Sequence, residues 1–253
     1  MNLVILTDND RLDERTFTLC DYRAEHVRSV LKLTAGDTIS VGLLNGPLGT
    51  AQVERVTAES VVLRCDTWRD ITYSRPAIDL ICALPRPQTV KKVLITCAMM
   101  GVRSLHLVRA NRVEKSYFQS PLIEPEHQLP YLIEGLSQGK LTRLPIVKVH
   151  DRFRKFFEEE LGQITDNARA PALRLLCDPA VDVTMASVFF DRPESVTLAV
   201  GPEGGWVPFE MELMRSISFE PFSLGRWTLR VEHAVTAALA QVELLRSTQQ
   251  SNL

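Results

Sequence analysis

Residues 198–206 read Leu-Ala-Val-Gly-Pro-Glu-Gly-Gly-Trp, an apolar run followed by three glycines in five positions. The run predicts a buried strand, and the helical pattern starting near Pro208 predicts a helix after the turn. Glycine lets backbone adopt positive φ and approach a ligand closely, because no Cβ intervenes. The G-x-x-G-G spacing is not the dinucleotide fingerprint, and no Lys-Ser/Thr pair follows to make a nucleoside triphosphate loop. The stretch predicts either a ligand-binding turn or a plain tight connection.

A second glycine turn follows about twenty residues later, where residues 222–234 read Phe-Ser-Leu-Gly-Arg-Trp-Thr-Leu-Arg-Val-Glu-His-Ala. This pattern again predicts a strand end, a loop and the start of a helix. Two loops that expose backbone at neighbouring strand ends could together enclose an adenosine. Arg230 and Glu232 stand where the helix begins, and an ordinary charged first turn would look the same.

The sequence around these turns alternates strands with helices from Ala77 onward. Such alternation is typical of parallel β-α-β units of the α/β class, which bind ligands beyond the carboxyl ends of the strands. The predicted strands are Ile78–Leu84, Ser104–Val108, Ile146–Val149, Leu173–Cys177, Val196–Val200 and Phe219–Leu224. The predicted helices are Thr89–Gly101, Pro130–Gln138, Arg152–Leu161, Pro208–Ser216 and Arg230–Arg246.

The segment before Ala77 has a different pattern. Runs rich in β-branched residues predict strands at Thr38–Leu44, Gly49–Val56 and Ser60–Trp68, separated by polar turns. One helix is predicted over Ala24–Lys32 from its apolar spacing. The pattern is typical of a small β-barrel, and the weakly periodic Arg69–Pro76 is interpreted as a linker.

The composition is that of a packed protein, with 45% hydrophobic and 24% charged residues in 253. The first residues lack the basic region and cleavage site of a signal peptide, and no apolar run is long enough for a membrane span. We therefore expect a cytoplasmic protein without membrane contact. The five cysteines are widely spaced, and the five histidines show no metal-ligand spacing, so neither disulfides nor a metal site are expected.

The charge distribution is uneven although the net charge is only −2. Residues 85–120 carry seven basic residues and one acidic residue, a local net charge of +6. This stretch could be a solvated face opposite acidic neighbours or a surface that contacts phosphates.

The paired glycine motifs resemble those of the RsmE family, the 16S ribosomal RNA uridine N3-methyltransferases of the SPOUT superfamily. In this chain they are G-P-E-G-G at 201–205 and L-G-x-x-x-L-R-x-E at 224–232. His26–Leu31 is similar to a His-x-x-x-Val-Leu segment of the family's N-terminal barrel. Ala83–Arg86 and Met100–Val102 resemble the basic segment that opens its catalytic domain. The resemblance covers nearly the whole chain.

The resemblance implies a SPOUT methyltransferase domain with a C-terminal deep trefoil knot at residues 73–253, preceded by an RNA-binding PUA-like β-barrel at residues 1–72. It implies S-adenosylmethionine (S-adenosyl-L-methionine) as cofactor, held mainly by backbone groups at strand ends. It also implies a homodimer whose partner subunit borders each active site, and a uridine of 16S rRNA within the small ribosomal subunit as target. The implied cofactor-binding residues are Leu176, Val200, Gly201, Glu203, Gly204, Gly205, Leu224, Gly225 and Leu229.

Uridine chemistry suggests roles for the charged side chains. N3 carries a proton at neutral pH, so an enzyme that methylates it must expose the base and favour its deprotonated form. Arg230 is predicted to stabilise negative charge on the uracil carbonyl oxygens. Glu232 or Glu203 would accept a proton or, preferably, orient Arg230. Five basic residues are predicted to hold the RNA backbone, namely Arg86, Lys91, Arg109, Arg112 and Lys115.

Other interpretations stay open at this point. A related SPOUT enzyme could act on transfer RNA or on a 2′-hydroxyl, and a cofactor-binding RNA adaptor could have lost catalysis. A nicotinamide oxidoreductase is disfavoured by the absence of G-x-G-x-x-G with a downstream acidic residue. His233 could be a general base or a packed residue, and Trp206 and Trp227 could stack on a base, fill the core or contact a second subunit.

Overall fold

Two β-sheets organise the chain, one before residue 70 and one after residue 76. The computed structural model describes residues 3–70, 77–165, 173–189 and 195–250. The predicted linker Arg69–Pro76 and the predicted boundary after residue 72 lie largely outside these residues.

The N-terminal sheet curls around a small core of its own. It consists of β1 (Val4–Leu6), β2 (Thr16–Leu19), β3 (Thr38–Leu43), β4 (Leu48–Val56) and β5 (Val61–Arg69). The strand order is β1-β3-β4-β5-β2, with β1 parallel to β3 and the other pairs antiparallel. α1 (Tyr22–Glu25) continues as a π-helical turn over His26–Val30 and brings Val27 into this core. β1 and β2 form opposite edges, so closure into a barrel stays a prediction.

The second sheet is parallel throughout, which confirms the predicted α/β class. Its strands are β6 (Ala77–Ala83), β7 (Ser104–Val108), β8 (Ile146–His150), β9 (Leu173–Cys177), β10 (Ser195–Val200) and β11 (Phe219–Phe222). They lie in the order β11-β9-β10-β6-β7-β8. All six carboxyl ends therefore meet at one edge of the sheet, where ligand-binding loops are expected.

Helices connect these strands, and none of those described is long and apolar enough to cross a membrane. They are α2 (Pro87–Met99), α3 (Pro125–Gly139), α4 (Phe153–Lys155), α5 (Leu161–Thr165), α6 (Met185–Val188), α7 (Pro208–Ser216) and α8 (Val231–Gln250). α2 and α3 approach closely because Gly135 and Gly139 face the backbone of α2, where any Cβ would collide with carbonyl oxygens. α8 packs against α2, α6 and β10.

A turn of the N-terminal sheet is fastened to the second half of the chain. The Asn45 amide donates to the Thr142 carbonyl at 2.7 Å, and the Thr142 hydroxyl donates to the Gly46 carbonyl at 2.6 Å. Leu3 and Ile5 extend the core of the parallel sheet rather than that of their own sheet. The two sheets thus share a packed and hydrogen-bonded junction.

Candidate active site

Three strand ends and their loops lie side by side at the carboxyl edge of the parallel sheet. Leu176 pairs in register with Ala199 on one side and with Pro221 on the other. The Asp178 amide donates to the Phe222 carbonyl at 2.9 Å, so the loops after β9 and β11 begin in contact. The two glycine turns therefore flank the end of β9, as the sequence predicts for neighbouring strands.

The first glycine turn, residues 201–205, is built from backbone. Gly205 has φ of +73°, and its amide donates to the Pro202 carbonyl at 2.8 Å. A Cβ on Gly201 would lie 3.0 Å from Nε1 of Trp206, which is buried against it. Among the described residues, the amides of Glu203 and Gly204 donate no hydrogen bond. The turn thus has the tight approach that glycine allows and keeps donors available for a ligand.

Two long-range side-chain contacts hold this turn in place. The guanidinium of Arg112 donates to the Gly204 carbonyl. Glu210, only 2% exposed, accepts from the amides of Asn111 at 2.7 Å and Val207 at 3.0 Å. The sequence predicts an RNA contact for Arg112, and in the structure this side chain braces the glycine turn.

The second glycine turn, residues 223–229, also exposes its backbone. Gly225 has φ of +121°, and its amide donates to the Ser223 hydroxyl at 3.2 Å. The amides from Arg226 to Arg230 have no acceptor within the part of the chain that the structure describes. Trp227 is 72% exposed, with the Arg226 guanidinium 5.1 Å from its ring centroid.

The two predicted catalytic residues lie where this turn enters α8, in different environments. Arg230 is exposed, and its carbonyl caps the helix by accepting from the amides of His233 and Ala234. Its guanidinium has no partner among the described residues. Glu232 is 6% exposed and accepts from Lys92 Nζ at 2.9 Å. This contact lowers the pKa of the Glu232 carboxyl, so the group is anionic and paired with Lys92 rather than with Arg230.

The remaining predicted RNA contacts spread over a wider surface. Burial and the nearby carboxylates of Glu114 and Glu203 raise the pKa of the Tyr117 phenol, and the charge of Arg86, which precedes α2, acts in the opposite direction. Lys91 faces α3 instead, 5.3 Å from the Tyr131 ring centroid. The other two predicted contacts lie after β7: Arg109, stacked 5.4 Å from the Phe118 ring centroid, and exposed Lys115.

Sequence reasoning missed two residues that shape this site. Lys92 counted only as part of the basic stretch, and Glu210 carried no signal. Their roles depend on contacts with distant parts of the chain, which local patterns do not reveal. Of the two tryptophans proposed as stacking partners, Trp206 is buried and packs against Phe153 at 5.9 Å between ring centroids.

This fold and this pair of backbone loops define a methyltransferase-like α/β domain, and comparisons with known proteins agree. The family model described as RNA methyltransferase domain matches residues 73–243. Ribosomal RNA small subunit methyltransferase E of Treponema pallidum is 31% identical over 225 residues, covering 88% of this chain and 82% of that protein. Its namesake in Synechocystis sp. is 27% identical over 93% of this chain and 75% of the relative.

A solved structure supports the same fold assignment. The ribosomal RNA small subunit methyltransferase E of Neisseria gonorrhoeae, crystallised with S-adenosyl methionine, superimposes with a TM-score of 0.74 at 20% identity, over 97% of this chain and 98% of that one. The chain belongs to the ribosomal RNA small subunit methyltransferase E (RsmE) family, which confirms the resemblance seen in the glycine motifs.

Proposed function

We propose that this protein, a ribosomal RNA methyltransferase by family, transfers a methyl group from S-adenosylmethionine to N3 of a uridine in 16S rRNA of the small ribosomal subunit. The observation that carries the proposal is the pair of backbone-exposing glycine turns beside an unpaired arginine, Arg230.

The strand-end residues fit this cofactor. Unpaired amides in both glycine turns offer donors, and the indole N–H of buried Trp206 has no acceptor among the described residues. Leu176 and Val200, both buried, and half-buried Leu224 supply apolar surface at the strand ends. S-adenosylmethionine, when bound, would supply a methyl group attached to a sulfonium, and the sulfur leaving group is then a neutral thioether. The other residues predicted to bind the cofactor, Gly201, Glu203, Gly204, Gly205, Gly225 and Leu229, belong to the two turns.

Arg230 favours the reactive form of the uracil. Loss of the N3 proton puts negative charge on the two carbonyl oxygens, and an unpaired guanidinium can donate to them as that charge develops. N3 would lose its proton to solvent or to Glu203 and would take the methyl group that the bound cofactor would supply. In-line placement of the base can supply roughly 7–11 kcal/mol of the barrier.

Glu232 acts as a positioning residue. Its contact with Lys92 lowers the pKa of the carboxyl, which makes it a poor proton acceptor. The same contact ties the first turn of α8 to α2, and so fixes the helix start from which Arg230 projects. Glu203 in the first turn is exposed and stays the alternative proton acceptor.

The wider architecture belongs to the same proposal. We expect a PUA-like barrel at residues 1–72 and a knotted methyltransferase domain at 73–253, acting as a cytoplasmic homodimer. After the edge strand β11, the C-terminal chain returns to the sheet and packs α8 against α2, α6 and β10, as a knotted C-terminus would require. Of the five predicted RNA contacts, Arg86, Arg109, Arg112 and Lys115 would face ribosomal RNA, with Arg112 also bracing Gly204, whereas Lys91 packs on Tyr131 of α3.

The test is transfer of radiolabelled methyl from S-adenosylmethionine to small ribosomal subunits that lack the family's uridine methylation. We expect label in 3-methyluridine after digestion to nucleosides. Label in another nucleoside, or none despite cofactor binding, would contradict the proposal.

A further inference from the structure

A cleft of about 440 Å³ lies directly beyond the first glycine turn. It is enclosed by the loop after β7, by α4 and by the start of α7. Val207, which follows the glycine turn, and Glu210, which braces it, both line this cleft. The cleft therefore borders the proposed active site.

The lining of the cleft includes an exposed aromatic ring. Phe209, the second residue of α7, is 47% exposed, and the Arg154 guanidinium lies 5.2 Å from its ring centroid. Phe153, by contrast, packs against Phe157 and Trp206. Phe209 and Arg154 thus form a surface on which a planar ligand can stack.

The lining is cationic. Arg109, Lys115 and Arg154 border the cleft, and Arg154 is also paired with Glu158 at 3.0 Å. Its lining carboxylate, Glu210, is buried and uses one oxygen for the Asn111 amide and the other for the Val207 amide. Exposed aromatic rings interleaved with cations are the combination that binds single-stranded nucleic acid, with bases stacked and phosphates neutralised.

We infer that this cleft binds an unpaired nucleotide that flanks the target uridine in the RNA, its base stacked on Phe209 and Arg154 and its phosphate held by Arg109 and Lys115. The inference rests on the proposed function. A uridine whose N3 is to be methylated must leave its base pair, and recognition of such RNA targets unstacked bases and aromatic platforms. Phe209 is then a specificity-determining residue outside the cofactor site.

The test measures binding of the full chain to a fluorescein-labelled ten-uridine RNA at several salt concentrations, by fluorescence anisotropy. Phe209→Ala is expected to weaken binding roughly 5- to 150-fold without changing the salt dependence, because base stacking carries no counterion release. Phe209→Trp should retain affinity. Phe209→Leu, which keeps apolar area and loses the π face, should behave like Phe209→Ala. Arg109→Ala should instead reduce the slope of log K against log salt by about 0.7.

Other outcomes would overturn the inference. An unchanged RNA affinity in Phe209→Ala, or full retention of that affinity in Phe209→Leu, would contradict base stacking on this ring. Absence of measurable RNA binding by the wild-type chain would contradict the site itself. A change of oligomeric state of Phe209→Ala in sedimentation would make Phe209 a contact between copies instead. Failure of the proposed function can be distinguished from failure of this inference. It would appear as absence of methyl transfer by the wild-type chain to small ribosomal subunits, whatever the RNA affinity of the Phe209 variants.

Discussion

The two halves of the parallel sheet use their polar groups in different ways. In the half formed by β9, β10 and β11, the glycine turns after β10 and β11 have amides that are largely unpaired among the described residues, and their side chains make few bonds there. The half formed by β6, β7 and β8 carries a continuous chain of side-chain hydrogen bonds across its strands. One half offers backbone to a ligand, and the other satisfies its polar groups internally.

The hydrogen-bonded chain is centred on His106, which is 1% exposed. Its Nε2 lies 2.9 Å from the Ser104 hydroxyl, which donates to Asp79. Its Nδ1 lies 3.0 Å from His150, whose other ring nitrogen lies 2.9 Å from Glu160. Burial lowers the pKa of His106 to about 4, so the ring is neutral at neutral pH.

The difference shows how one sheet can serve both rigidity and binding. The hydrogen-bonded chain borders the loop that carries Arg109 and Arg112, because the Arg109 amide donates to the His150 carbonyl at 2.9 Å. The first glycine turn is braced by that neighbouring loop, through the hydrogen bond from Arg112 to the Gly204 carbonyl. We therefore expect substitutions in the glycine half to change chemistry and ligand affinity, and substitutions in the other half to change stability.

The largest effect is expected from Arg230→Ala, since it removes the donor at the uracil oxygens. Turnover should fall roughly 100- to 1,000-fold, as for loss of a single oxyanion-stabilising donor, with cofactor affinity and melting temperature nearly unchanged. The measurements are single-turnover methyl transfer and calorimetric binding of S-adenosylmethionine. Arg226→Ala, in the same turn, is the matched control and should retain most activity. If Arg230→Ala instead loses cofactor binding, the residue has a binding or folding role.

In the hydrogen-bonded half, His106 should make stability depend on pH. In the unfolded chain His106 is protonated near the ordinary histidine pKa of 6.5, whereas in the folded chain it is protonated only near pH 4. Stability is thus full above pH 6.5 and is lost as pH falls toward 4, by up to about 3 kcal/mol. His106→Gln, which cannot titrate, should show a correspondingly shallower loss in urea unfolding measured at successive pH values, with unchanged cofactor affinity at pH 7.5. Parallel curves of unfolding free energy against pH for the wild type and His106→Gln would rule out His106 as the source of the pH dependence.

The parallel sheet was predictable because its strands are buried on both faces and appear as continuous apolar runs. The bounds of β7, β9 and α7 match the sequence prediction residue for residue. β1 and β2 were missed, since they are three and four residues long and are stabilised by partners distant in sequence. The helix predicted from Pro130 begins at Pro125 instead, which occupies the first helical position that proline favours, while Pro130 lies inside the helix and lacks the amide that would donate one turn back.

The candidate site also has a part that the sequence predicts and a part that it does not. Glycine turns are local features, so their position and exposed backbone could be predicted from spacing alone. The Lys92–Glu232 pair joins residues 140 positions apart, and the Arg112 contact with Gly204 spans 92 positions. Such contacts depend on how helices and loops assemble around the sheet, which no local pattern encodes.

A smaller effect on function is expected from alanine substitutions of one glycine next to each sheet. Gly225 and Gly36 both have positive φ, +121° and +97°, and a Cβ at either position would meet no atom within 4 Å. Alanine at either site should therefore cost roughly 1–3 kcal/mol through backbone strain alone. In Gly225→Ala the loop should relax away from its binding shape and raise the cofactor Kd roughly 5- to 150-fold. Gly36→Ala should lower the urea midpoint and leave the Kd unchanged. Equal Kd values in the two variants would argue against a cofactor role for the second turn.

The subtlest effect is expected at the contact that links α2 to α8. Lys92 lowers the pKa of the Glu232 carboxyl by donating to it, so Lys92→Met should raise that pKa. If the carboxylate fixes the helix start from which Arg230 acts, activity is lost when Glu232 becomes protonated. The acid limb of the pH profile of kcat should then move to higher pH in Lys92→Met. Lys91→Met is the matched control, because Lys91 lies one position away on α2 and faces Tyr131 instead. It should leave the acid limb in place, whereas an equal shift in both variants would mean that general surface charge, and not the Glu232 contact, sets the profile.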